Sequence, residues 1–332
     1  MPFELVPAGL NIDFLKYRKV CLGISLTLIA LGLGFALSQG VPIGIDFAGG
    51  TEIQVAFNEG VTTDESAIRD VARAAGFDDA TVVRFGEIGS NEYLVKYKDV
   101  AAAVESAAAE QGDGLVSNTR VIELENAIRS QVGDFTEQRV EYVGPKVGEE
   151  LRDDGLNALL LSAIAILIYV AFRFSSRYAP GAVVAVVHDL AITSGILVMA
   201  GVEFDLRILA AMLAILGYSL NDTIIIYDRI RENMELHTTA DLEDTLNLSV
   251  NQTLSRTVLT SITTILALVS LYFLGGEVIQ PFAFAMLIGV LVGTYSSIFI
   301  ASPMLLFLET RYGDTPEERK KKAKKKRKAE RA

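Results

Sequence analysis

The sequence predicts a polytopic α-helical membrane protein: six transmembrane helices, with one α+β, ferredoxin-like extracytoplasmic domain between the first and second spans. Three observations carry that prediction. The 332 residues are 51% apolar with a mean hydropathy of +0.36, too apolar for a soluble enzyme of this size. Six stretches are long and apolar enough to cross about 30 Å of hydrocarbon at about 1.5 Å per residue. The long segment left over, 46–154, alternates between strand and helix periods and carries 23 acidic against 10 basic residues.

The spans follow in order. After a short N-terminal segment, 1–19, the first runs from Val20 to Ile45 without a charge, and the second occupies Gly155 to Phe172. The third, Ala179 to Val202, carries His188 and Asp189 in its interior, and the fourth, Ile208 to Tyr227, carries Asp222. The fifth spans Thr257 to Gly276, and the sixth lies within Val278 to Leu308, more chain than one crossing requires. Spans two to six thus fill 155–308, and a basic tail, 309–332, follows. The apolar run of span one exceeds a signal-peptide core, and no small-residue cleavage site of the A-x-A kind follows it, so an uncleaved anchor is expected.

Lys and Arg in short flanks are retained on the cytoplasmic side, which sets the orientation. Lys16, Arg18 and Lys19 place the N-terminus inside, as do Arg173 and Arg177 for the loop between spans two and three, and Arg229 and Arg231 for the loop after span four. The tail agrees, with ten basic residues and one acid between Arg319 and Arg331. One parity satisfies every loop. Segment 46–154 and the turns near Glu203 and Glu277 are left outside. The tail reads as solvated chain, or as a segment drawn to anionic membrane lipid or ribosomal RNA; nothing points to a DNA-binding domain, and no specific nucleic acid is expected. Cys21 is the sole cysteine, so no intrachain disulfide can form.

The outer segment reads as a small module. Thr51 to Phe57 alternates with Ile53, Val55 and Phe57 on one face, a half-buried strand. Thr62 to Ala75 follows helical spacing through Ile68, Val71, Ala72 and Ala75, with Gly76 as its stop. Strands at Ala80 to Phe85 and Glu92 to Tyr97 come next, then an Ala-rich helix near Asp99 to Glu110, a helix over Thr119 to Val132 and a strand over Phe135 to Tyr142. That count suits a ferredoxin-like sheet with helices on one face. The segment lacks His and Cys and its carboxylates are scattered, so docking or substrate contact is expected of it rather than catalysis.

A carboxylate at bilayer depth costs about 2.5–3.5 kcal/mol on insertion scales and calls for a reason. Asp222 precedes Asp228 by six residues, roughly 9 Å below the surface at about 1.5 Å per residue. Arg256 opens the next span from the same side, so an Asp222–Arg256 pair is expected. Asp189 lies roughly 16 Å from the start of its span at Tyr178. His188 is its neighbour, but adjacent helical residues point about 100° apart and need not face one partner. The structural reading is a set of paired ions that hold the bundle together; the functional one is protonation or conformational coupling.

Other strings exclude chemistry. Gly217 to Asn221 is one residue short of a G-x-S-x-G elbow and lies in a span. HExxH, CxxC and a Walker loop are absent, and Gly32-Leu-Gly34 lies in span one rather than after a strand. Neither an enzyme nor a cofactor or metal site is expected.

Ordered motifs then carry a resemblance. GIDFAGG at Gly44 to Gly50, with Asp46, Gly49 and Gly50, resembles the motif that opens the outer domain in the SecD/SecF protein-export family, and VGPKVGEEL at Val143 to Leu151 resembles its exit. VVHDLAITSG at Val186 to Gly195 and GYSLNDTIIIYDRIREN at Gly217 to Asn233, with Asn221 and Thr223 flanking Asp222, look like the SecF versions of spans three and four. NQTLSRTVLTS at Asn251 to Ser261 follows in its expected place. The match covers residues 10 to 308.

The resemblance implies a place in the resistance-nodulation-division superfamily, in a bacterial-type cytoplasmic (inner) membrane with both termini cytoplasmic. It implies a partnership with SecD in a twelve-span assembly docked on the SecYEG translocon and acting on a translocating preprotein. In such proteins the proton motive force is thought to move the outer domains. Asp222 and Arg256 match the family's proton-pathway positions, and His188 and Asp189 its His-Asp string. The other classes kept open are a half-length exporter of lipids or small molecules, and a structural stabiliser of the translocon.

Overall fold

The computed structural model describes residues 11–58, 60–85, 91–98, 113–174, 178–236, 241–276 and 278–312. The Ala-rich helix expected near 99–110, the loop residue Arg177, the turn residue Glu277 and the basic tail lie outside these residues.

A 3₁₀ turn at Leu15–Tyr17 leads into α1 (Arg18–Gln39), and the one-turn α2 (Ile45–Ala48) delivers the chain to the outer domain. That domain runs β1 (Gly50–Phe57), α3 (Glu65–Ala74), β2 (Thr81–Phe85), β3 (Glu92–Tyr97), α4 (Asp113–Gln131) and β4 (Phe135–Val143). The spans that follow are α5 (Pro145–Arg173), α6 (Ala179–Met199), α7 (Leu206–Leu236) and α8 (Leu242–Leu274). Span six is α9 (Gln280–Ser296), a π turn at Ser297–Ala301, and α10 (Ser302–Tyr312).

The sheet is antiparallel with order β2-β3-β1-β4, the ferredoxin-like arrangement. Alternation along β1 turns Ile53, Val55 and Phe57 inward, where they meet Ile68 and Ala72 of α3 and Val121, Leu124 and Ile128 of α4. Asp64 caps α3 by accepting from the Ala67 N–H at 2.8 Å, and that bond holds its carboxyl below the ordinary carboxylate range. Gly76, at φ 89°, ends the helix.

The six helices are long and apolar enough to span, but their limits differ from the apolar runs. Span one ends at Gln39, because Gly40 takes φ 80° and Ile45 belongs to α2. Span two begins ten residues before Gly155, since Pro145 at its first turn starts a helix whose opening part is charged. Span five begins at Leu242 rather than Thr257, so Arg256 sits in mid-helix. Hydropathy marks the greasy part of a helix, not the helix.

GIDFAGG and VGPKVGEEL meet at the neck of the outer domain. A Cβ on Gly49 would stand 2.8 Å from Pro145 Cα, and one on Gly148 2.9 Å from Gly49 N. Among the spans, α6, α7 and span six form the core, and α1, α5 and α8 lie around it. Their buried apolar side chains fall into two groups. One, on the domain side, holds Leu197, Ile208, Met212 and Ile215; the other, on the far side, holds Tyr227, Ile230, Val250 and Leu305. The layer between them is polar.

Candidate functional site

Asp189 of α6 is the centre of that layer and is 1% exposed. Its Oδ1 faces His188 Nδ1 at 2.8 Å, and its Oδ2 accepts from Ser296 Oγ of α9 at 2.7 Å and from Ser219 Oγ of α7. A carboxylate with three donors is stabilised in a bundle where bare charge is costly. His188 and Asp189, read separately from the sequence, therefore touch each other, while the far side of the imidazole turns to α1.

There, His188 Nε2 lies 2.9 Å from Ser25 Oγ, which lies 3.1 Å from Tyr295 Oη, and Tyr295 donates to the Cys21 carbonyl at 2.7 Å. Two hydrogen-bond patterns fit the His188–Ser25 contact, and the second also places a proton between Ser25 and Tyr295. With neutral His188, Nδ1–H donates to Asp189 and Nε2 accepts from Ser25. With the imidazolium, Nε2–H donates to Ser25, whose proton turns to Tyr295. The Asp–His–Ser order resembles a nucleophilic triad, but Ser25 is 1% exposed and hemmed in by Tyr295, so no acyl substrate can reach it.

Asp222 lies one turn beyond Ser219 on α7, 2% exposed, and its Oδ2 has no hydrogen-bond partner. The register of α7 on α8 is set by Tyr218 Oη on Thr264 Oγ1 at 3.4 Å and Asn233 Nδ2 on Ser249 Oγ at 2.8 Å. By that register Arg256 stands opposite Ile226, one turn from Asp222. The pair expected from the sequence is not closed: among the described residues no hydrogen bond or ion pair joins them, and Arg256 is exposed on the outer surface of α8. Asn221 is exposed too, whereas Thr223 is buried with its Oγ1 on the Ser219 carbonyl at 3.3 Å.

Asp46, Gly49 and Gly50 are gathered elsewhere, at the neck. Asp46 Oδ2 accepts from the Leu206 N–H at 3.0 Å and so caps α7, and a Cβ on Gly50 would meet the Tyr97 carbonyl at 2.5 Å. Sequence reasoning missed Ser25, Ser219, Tyr295 and Ser296. The signal lay in the carboxylate itself, since a buried Asp must find donors and the hydroxyls inside apolar runs are the candidates.

Residues 123–311 match the family described as protein export membrane protein SecD/SecF, C-terminal. The chain belongs to the SecD/SecF export family. Within it, the chain is 41% identical to the protein translocase subunit SecF of Pseudomonas aeruginosa, over 90% of this chain and 92% of that one. It is 42% identical to the SecF of Desulfurispirillum indicum, over 91% and 93%. Among solved structures, SecDF of Thermus thermophilus, a translocon-associated membrane protein, superposes with a TM-score of 0.78 at 35% identity. That match covers 93% of this chain but 40% of the SecDF chain. A SecDF in a super-membrane-facing form matches at 0.67 and 34% identity. Six apolar helices and SecF relatives of bacterial origin indicate a multi-pass protein of the bacterial inner membrane.

Proposed function

We propose that this chain is the half of a SecD–SecF assembly that assists the SecYEG translocon in exporting preproteins, with both termini cytoplasmic, and that it couples proton movement to work on the outer side without an enzymatic turnover of its own. One observation carries this reading: Asp222 is buried with an unpartnered oxygen, one turn from an Arg256 that faces out of the bundle. A guanidinium exposed at membrane depth needs polar cover, and Asn221, Ser255 and Thr263 are exposed around the same surface. A second six-span body against α7 and α8 supplies that cover, and SecD is the partner that family membership favours.

The exporter reading called for a large apolar cleft. The cleft between the sheet and the membrane end of the bundle, about 920 Å³, is mixed: Glu52, Lys96, Arg139, Glu141, Asp205 and Arg207 line it together with Phe85 and Leu94 of the sheet and Phe273, Leu274, Val278 and Ile279 of the bundle. Burial pushes the Glu52 carboxyl above its ordinary range against the pull of Lys96. Charges of both signs beside apolar patches suit polypeptide, with its mixed side chains, better than lipid tails alone.

The test is export into membrane vesicles with and without an imposed proton gradient. Asp222→Asn keeps the shape but removes the titration. We expect normal assembly with SecD and loss of the gradient-dependent part of export, with partial retention in Asp222→Glu. Full gradient-dependent export in the Asn variant would leave Asp222 a structural group.

A further inference from the structure

Span six changes its winding beside the polar layer. Ser296, the last residue of α9, donates to Asp189 Oδ2 at 2.7 Å, and the π turn Ser297–Ala301 begins at the next residue. A π turn holds one residue more than α winding allows, and it leaves carbonyls without their usual donors. Two hydroxyls cover them. Tyr227 Oη of α7 donates to the Ala301 carbonyl at 3.1 Å, and Ser302 Oγ donates to the Ser297 carbonyl, five residues back, at 3.0 Å. Tyr227 is fully buried, and its phenol has room only because residue 181 is glycine: a Cβ there would stand 2.3 Å from the oxygen.

We propose that the π turn of span six is a register switch, held by two positioning residues, Ser296 on Asp189 and Tyr227 on Ala301. The switch rests on the proposed coupling to proton movement and extends it from Asp222 to the His188–Asp189 pair of the same polar layer. As a carboxylate, Asp189 accepts from both Ser219 and Ser296 on one oxygen. Once neutral, it offers fewer acceptor sites and loses the charge assistance that roughly doubles such bonds. A proton placed on Oδ2 takes one of the two lone pairs that the serines share, and one of the two serines then turns away. Release of Ser296 removes the lock at the head of the π turn, and rewinding to α geometry turns α10 relative to α9 by about 100° and shifts it by about 1.5 Å.

Among the described residues, the charged and titratable groups near the depth of Asp189 on the elements packed about it are few. His188 lies on α6 itself, Tyr218, Asp222 and Tyr227 on α7, Tyr295 on α9, Cys21 on α1 and Arg256 on the adjoining α8. Of these, His188 alone bonds Asp189 directly. The proton load on this pair is thus read out by span six through Ser296.

The experiment is a pair of spin-label distance measurements on the full chain with SecD in liposomes, in a Cys21→Ala background. Labels at Phe307 and Phe172, both exposed, report the far half of span six, and labels at Leu291 and Leu160 report its domain-side half. Asp189→Asn mimics the neutral acid. We expect it to move the first distance on the order of 8 Å, the chord of a 100° turn on a helix about 10–12 Å wide, and to leave the second unchanged. An unchanged first distance would overturn the switch. Should Asp189→Asn fail to fold, Tyr227→Phe decides with Asp189 intact: two coexisting distances support the switch, and the parent distance alone overturns it. The gradient dependence of export in Asp189→Asn separately judges whether Asp189 carries a proton, so the two readings can fail independently.

Discussion

Asp189 and Asp222 occupy the same polar layer in opposite surroundings. Three contacts meet Asp189, so a change in its charge is felt at once by His188, Ser219 and Ser296, whereas Asp222 keeps an oxygen without a partner and responds to what approaches it. The sequence exposed both acids, because an ionisable residue inside an apolar run stands out. It hid the serines and Tyr295, because hydroxyls are common in spans and carry no mark of which carboxylate they serve. In the outer domain, Glu125 of α4 is pushed up to about 7 by burial and by Glu137 of β4, with Arg129 pulling the other way. The folded pKa lies above the unfolded value, so the stability it contributes is fully present below about 4.5 and is lost as pH rises through about 7. Hydrogen exchange of α4 and β4, corrected for the intrinsic rate, is expected to show protection falling between pH 5 and 8, roughly. Glu125→Gln should flatten that dependence; an unchanged profile would show that Glu125 does not set it.

Element packing in the bundle turns on small residues. The apolar faces of α1 and α6 were legible, but the crossing point was not, since several glycines in span one look alike in sequence. Only Gly32 meets its neighbour: a Cβ there would stand 2.6 Å from Gly195 Cα, while one on Gly34 would meet nothing within 4 Å. Close backbone approach is how membrane helices gain contact without a hydrophobic drive between them. Gly32→Val is expected to destabilise the bundle by about 1–3 kcal/mol, the cost of overpacking a tight contact. It should also pull Ser25 from His188, two turns along the same helix. Gly34→Val should stay within about 0.5 kcal/mol of the parent, as surface changes do. Equilibrium unfolding in bicelles measures both, and equal costs would show that the Gly32–Gly195 contact does not set the crossing. The helix ends were the least legible elements: the charged opening turns of α5 and α8 belong to long helices that hydropathy cannot see, and the π turn of span six has no sequence signal beyond excess length.

At the scale of the molecule, the ferredoxin-like domain was legible as a count of strands and helices, but its seat on the bundle was not, because that seat is made by residues far apart in the chain. The Gly44 N–H donates to the Phe204 carbonyl at 2.9 Å, and the Phe204 N–H to the Pro42 carbonyl at 2.7 Å, which ties the neck to the turn between α6 and α7. From the sheet itself, Lys96 of β3 reaches Glu203 of that turn at 3.6 Å and Glu52 of β1 at 3.5 Å. Lys96 is 8% exposed, so its two partners matter: a buried ammonium with one carboxylate from each body is a link that can open when either charge is lost. If the domain works by moving against the membrane, this link must break in each cycle. Cysteines at positions 96 and 203, joined by a short cleavable crosslinker in a Cys21→Ala background, hold it shut. We expect normal assembly with SecD, loss of the gradient-dependent part of export, and recovery when the crosslinker is cut. The two single-cysteine variants, treated alike, separate the lock from the loss of the ion pair, since each lacks the pair but leaves the domain free. Full export from the crosslinked protein would mean that the domain stays seated while export proceeds, and that any coupling to the polar layer reaches the outer side through the spans alone.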